Sequence, residues 1–217
     1  MPKQVRHDKK YKLYAVPLDK INTIVSYIPL VAGLLMFAYV FARNWRGELT
    51  VGALKKLILF FALFLVALAG VKILLQYEIY KNDSFSRLML PPYQSWHWFI
   101  YSMWRVNAAP LLFSLLAGAF MYAAAIFTDA RFKRELFVEQ DPYIFVLVAL
   151  AAGWPNFVLF LALAAILTVA QSAVVSAVKK DFTHRVVITN VLLASAVLVL
   201  LFGNIAGQYL KIWLLTI

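Results

Sequence analysis

The sequence predicts an all-α, polytopic membrane helix bundle of about six hydrophobic helices, and three observations carry that reading. The 217 residues are 64% hydrophobic, only 14% are charged, and the mean hydropathy is +0.79. Several apolar runs reach the ~20 residues that a helix needs to cross a bilayer. Helices satisfy their own backbone hydrogen bonds, which a lipid-exposed irregular chain cannot do, so the spans are read as helical. The whole chain, residues 1–217, is read as a single membrane domain.

Residues 1–20 are basic, with Lys3, Arg6, Lys9, Lys10, Lys12 and Lys20. They lack the short apolar core and small-residue cleavage site of a secretory signal, so no leader is expected to be removed. By the positive-inside rule this tail is expected to be cytoplasmic, in a plasma-membrane protein. The net charge of +11 flanks the spans and forms no single soluble face. Anionic lipid head groups, not nucleic acid, are the expected partner.

The N-terminal helices occupy residues 22–128. A first span is placed at 22–42 and a second at 57–77, separated by the basic loop RNWRGELTVGALKK. Lys72, near the end of the second span, is read as snorkelling to the interface. Residues 78–107 are polar and then aromatic, and Trp96, Trp98, Tyr101 and Trp104 suit the head-group boundary as an interfacial or re-entrant helix. A clear span follows at 108–128. Residues 95–128 as one helix would be ~50 Å long, more than one crossing needs.

Beyond the charged loop TDARFKRELFVEQD, residues 143–178 are apolar apart from Gly153-Trp154-Pro155-Asn156. This break is expected to fold the chain back as a tight helical hairpin with a short first arm. A last span is placed at 186–203, before an apolar or interfacial tail. Small residues such as Gly118 and Ala123–Ala125 permit close helix packing. Asn190 and Thr189 are expected to bond to a neighbouring helix, because polar groups in lipid find such partners.

There is no cysteine, which excludes disulfides, thiolate nucleophiles and Cys-ligated metal. His7, His97 and His184 are far apart and make no HExxH-like pattern, so neither a metal nor another cofactor is expected. His97 reads as an interfacial aromatic. The informative residue is Asp141, which with Glu139 heads the run PYIFVLVALAAGW, since a carboxylate at membrane depth is costly unless protonated, paired or wetted.

From Glu135 onward, ELFVEQDPYIFVLVALAAGWPNFVLFLALAAILTVAQSAVVSAV, HRVVITNVLLASAVLVLLFG and QYLKIW resemble the C-terminal half of the type IV prepilin peptidases, which are integral-membrane aspartic peptidases. The resemblance is placed on the C-terminal helices, residues 136–215, and extends more loosely back to about residue 78. It makes Asp141 the aspartate of the family's GxGD motif, Gly153 the following glycine, and Gly203 with Tyr209-Leu210 the terminal features. Val138 and Gln140 stand where the family has its two glycines. Asp83, eight residues before Pro91, is the counterpart of the other catalytic aspartate.

What the resemblance implies is cleavage of type IV prepilin leaders on the cytoplasmic face, with prepilin-like membrane peptides as partners. No methylation of the new N-terminus is implied, because the cysteine-containing methyltransferase domain has no counterpart. The chemistry asks one aspartate to be ionised and activate water while the other is protonated and polarises the scissile carbonyl. Asp83 and Asp141 must then meet on one face of the membrane.

Alternative readings stand beside this one. Asp141 before Pro142 also reads as a helix N-cap, or as an interfacial acid near Lys133 and Arg134. Asp83 in Asn-Asp-Ser reads as a solvated turn residue. The whole chain reads equally as a non-catalytic scaffold or assembly protein descended from the same fold. A transporter is the third reading, and the sequence offers no span with a clearly buried charge or broken-helix pair to mark an ion pathway.

Overall fold

A computed structural model describes residues 18–132, 137–179 and 188–210. The basic N-terminal segment, Lys133 and Arg134, the loop containing His184 and the residues after Leu210 lie outside the described residues. The chain is a bundle of α-helices: α1 (Leu18–Trp45), α2 (Val51–Asn82), α3 (Trp96–Met103), α4 (Ala109–Phe132), α5 (Asp141–Ala152), α6 (Asn156–Lys179) and α7 (Thr189–Tyr209). Five helical stretches are long and apolar enough to cross a membrane: 20–45, 51–82, 96–131, 156–178 and 189–209. The expected all-α membrane bundle is therefore what the chain forms.

Local chemistry sets the boundaries. Thr50 caps α2 by accepting from the Ala53 N–H at 3.3 Å. The stretch from Trp96 is neither a separate interfacial helix nor a re-entrant one. It runs from α3 through a π turn at Trp104–Ala108 directly into α4. Its rings hold it to α2, with Tyr77 stacked on Trp96 at 5.8 Å and Phe99 edge-on to both Tyr77 and Tyr80. Aromatic contact thus fastens the extra turns beside α2, and the two helices overrun the bilayer together.

At the centre lies α5, only 12 residues long and ~18 Å by helix rise, so it does not span the bilayer. It packs against α1, α2, α4, α6 and α7. A helix apolar all round belongs in an interior, and Ile144, Leu147, Val148 and Ala149 have no exposed surface. Gly118 lets α4 approach it closely, since a Cβ there would sit 3.1 Å from Ala149 Cβ and 3.2 Å from Val146 Cα.

The hairpin break is where the sequence places it. Gly153 has φ 71° and ψ 163°, a conformation essentially reserved for glycine. The Trp154 N–H donates to the buried Ser114 Oγ at 2.8 Å, and Ser114 in turn donates to the Pro110 carbonyl. The freed backbone of the turn is thereby satisfied by protein, as membrane depth requires. On the other side Asn156 lies against Gly203 and Gly207 of α7 and donates to Asn204 Oδ1 at 2.9 Å.

Gly153→Ala is expected to cost about 1–3 kcal/mol and to lower the melting temperature in detergent. Gly70→Ala is expected to be neutral or slightly stabilising, because that helical glycine on α2 has open space around it. Equal melting temperatures for the two variants would contradict the assignment of strain to the break.

Candidate functional site

Asp141 is the only acid among the described residues with no exposed surface. It is not the N-cap that the Asp-Pro pair suggests. The helix starts one residue earlier in effect, with Gln140 at the cap, and Asp141 lies in the first turn. From there its Oδ2 reaches back to accept from the Val138 N–H at 2.9 Å, while the Asp141 N–H donates to the Val138 carbonyl. This is the backward half of a capping box, with an acid favoured by the positive end of the helix dipole.

The other oxygen is taken by a different helix. Thr189, at the head of α7, donates its hydroxyl to Asp141 Oδ1 at 2.6 Å, within the range for a hydroxyl bonded to a charged carboxylate. The neighbouring Asn190 accepts from Asn44 of α1 at 2.9 Å. Gln140 donates to the Leu49 carbonyl in the α1–α2 turn. Thr189 and Asn190 thus bond to neighbouring helices as their place in the last span suggests. Five polar side chains, Asp141, Gln140, Thr189, Asn190 and Asn44, join the heads of α5 and α7 to each other, to α1 and to the α1–α2 turn at one end of the bundle.

Val138 and Gln140, which stand where the resemblance would put two glycines, belong to this joint. Val138 supplies the N–H that Asp141 needs, and the Gln140 side chain makes the tie to Leu49. Glu139 between them is exposed. Tyr143, one turn into α5, shares a 3.3 Å hydroxyl contact with Tyr122 of α4, and Lys55 stands 5.4 Å from its ring.

Asp83 is elsewhere. It follows the last residue of α2, exposed, and its Oδ2 accepts from the Ser86 N–H at 2.8 Å. Hydrogen bonds from Ser86 hold its carboxyl below the usual carboxylate range. Gln140 is tied to Leu49, two residues before α2, and Asp83 lies just past its other end. The 32 residues between, ~48 Å of helix, put the two acids at opposite ends of the bundle. The structure does not bring together the pair that the resemblance implies.

A different acid lies near Asp141. Asp129, in the last turns of α4, accepts from the Phe137 N–H at 3.4 Å, and its charge acts on Asp141. By sequence Asp129 falls in the charged loop TDARFKRELFVEQD, because α4 continues past the span in which its apolar pattern ends. Its spacing of 12 residues from Asp141 across one short loop is the signal that was available. No group of three or more His, Asp or Glu residues suited to a metal ion occurs among the described residues.

Burial moves the Asp141 carboxyl above the usual carboxylate range. The Thr189 hydroxyl and the Val138 N–H pull it down, and the charge of Asp129 pushes it up again, with a net upward direction. Comparison with protein-family models, with curated proteins and with solved structures finds no match to this chain.

Two outcomes test this joint. Thr189→Val leaves a buried carboxylate oxygen unpaired and is expected to cost about 1–3 kcal/mol, with Thr189→Ser restoring most of it. With its carboxyl raised, the folded chain keeps a proton on Asp141 that the unfolded chain has released. Wild-type stability therefore falls as pH climbs from about 4 through the raised value. Denaturation of wild type and Asp141→Asn across that range should show a flatter slope in the variant; parallel slopes would mean that Asp141 titrates normally.

Proposed function

We propose that this chain is a non-catalytic multi-pass membrane protein, a scaffold or assembly component on a prepilin-peptidase-like helical plan. The observation that carries the proposal is the state of Asp141: no exposed surface, one oxygen held by Thr189 and the other by the Val138 N–H. A peptidase aspartate needs an open side toward water and the scissile carbonyl. Here the carboxylate is used up in joining α5 to α7. The outward faces of α2 and α6, with Leu59, Phe60, Leu63, Ile166, Val169 and Val178 exposed, suit contact with lipid and with the helices of membrane partners. We place the chain in the plasma membrane with its basic N-terminal segment in the cytoplasm, on the charge of that segment.

A prepilin leader peptidase is the second reading, and one observation favours it. Asp129 and Asp141 lie at the same end of the bundle, close enough for one charge to act on the other, which an aspartate pair requires. In that reading the carboxylates are Asp129 and Asp141, Asp83 takes no part, and the orientation is reversed. Leu18 lies beside Asp83 at the end of the bundle opposite Asp141, so a cytoplasmic Asp129–Asp141 pair puts the N-terminal segment on the other face.

The test is co-expression with a prepilin from the same genome, read by the mass of the pilin N-terminus. The scaffold reading expects an intact leader in the presence of well-folded wild-type protein. Leader removal that disappears in both Asp141→Asn and Asp129→Asn would overturn it in favour of the peptidase.

A further inference from the structure

A cavity of about 270 Å³ lies within the bundle, toward the Asp83 end, between α1, α2, α4 and the hairpin break. Three helix irregularities meet around it: Pro29 inside α1, the π turn through Val106 and Asn107, and Gly153-Trp154 between α5 and α6. Irregular backbone at membrane depth is tolerated where it is enclosed by protein or lines a cavity, and π turns recur at functional sites. Into this cavity α2 brings Lys72.

Lys72 is partly buried, and five residues separate it from Tyr77 in the aromatic belt, ~7.5 Å of helix rise further into the bilayer. An ammonium at that depth needs an anion or water. None of the residues lining the cavity is an acid, and neither ion pair found among the described residues involves Lys72. The remaining wall is apolar, formed by Leu65, Leu68, Leu111 and Leu150, with Asn107 and Ser114 as the polar side chains. The sequence reading of Lys72 as a plain snorkelling residue leaves out this cavity, as does the judgement that no span combines a charge with broken helices.

We propose that this cavity is a binding site for an anionic amphiphile, whose carboxylate or phosphate head pairs with Lys72 while its hydrocarbon chain lies against the leucines. One positive group beside an apolar chamber matches a molecule built the same way, an acid at the end of a hydrocarbon chain. The head lies a little below the aromatic belt, as for a lipid drawn inward from its own leaflet. The site is independent of the Asp141 joint and of either reading of function.

The test uses the full chain purified in detergent, with labelled palmitate as probe and displacement by phosphatidic acid, hexadecanol and inorganic phosphate. Saturable binding is expected, displaced by phosphatidic acid and not by hexadecanol or phosphate. Lys72→Gln should weaken it at least about 10-fold, Lys72→Arg should retain it, and Lys81→Gln, an interfacial control, should leave it unchanged. Ala69→Phe, which fills the cavity with Lys72 in place, should abolish binding and keeps the proposal testable where Lys72→Gln does not fold. Equal binding by Lys72→Gln or Ala69→Phe, equal displacement by hexadecanol, or full displacement by inorganic phosphate would each overturn the proposal. Displacement by phosphatidic acid tighter than by unlabelled palmitate assigns the head as a phosphate.

Discussion

The fold depends on keeping a half-length helix in the middle of a membrane bundle. Helix α5 is too short to reach both surfaces, so it cannot be anchored at two interfaces as a full span is. Apolar packing alone holds it weakly in register, because lipid tails are as apolar as its neighbours and the hydrophobic effect gives little preference between them. Directional bonds at its two ends do the fixing. At its head Asp141 reaches Thr189 and Val138 while Gln140 reaches Leu49; at its tail the Trp154 N–H reaches Ser114. These bonds tie the ends of α5 to α7 through Thr189, to α4 through Ser114 and to the α1–α2 turn through Leu49.

That arrangement explains why an acid is retained at a buried position. A carboxylate at the head of a helix interacts with the dipole, accepts from free backbone N–H groups and still has an oxygen for a second helix. An amide cannot accept on both sides in the same way, since one of its two polar atoms is a donor. The desolvation of Asp141 is opposed by two hydrogen bonds, so the site is a structural joint whose stability responds to pH. A joint of this kind and a catalytic carboxylate present the same sequence signature, an acid leading an apolar run. What separates them is whether an oxygen remains open, which only the partner residues reveal.

Much of the architecture is legible in the sequence because it follows from local chemistry. The spans follow from apolar length and the hairpin break from Gly153, whose backbone conformation other residues avoid, whereas α2 begins at Val51, inside the stretch that reads as a basic loop. What local pattern does not contain is which end of the bundle each residue reaches. Asp83 and Asp141 fall into one site or two according to how the stretch 95–128 crosses the membrane, and hydropathy left that parity open. The packing of Trp96 and Phe99 on Tyr77 and Tyr80 resolves it, making residues 96–131 one crossing. Thr189 is likewise 48 residues from Asp141, and no periodicity links them.

Lys72 illustrates the same limit from the opposite side. Counted along α2 it reads as a residue near enough to the end of its span to snorkel. Its environment is set by three other segments: α1 at Pro29, the π turn ahead of α4 and the break between α5 and α6. A regular bundle would close that space with ridges packed into grooves; a proline, a π turn and a glycine break prevent closure and leave a chamber. The two ends of the protein are thus built on opposite terms. At the Asp141 end a buried acid has both oxygens matched within the chain, whereas at the other end Lys72 faces a cavity whose lining holds no acid.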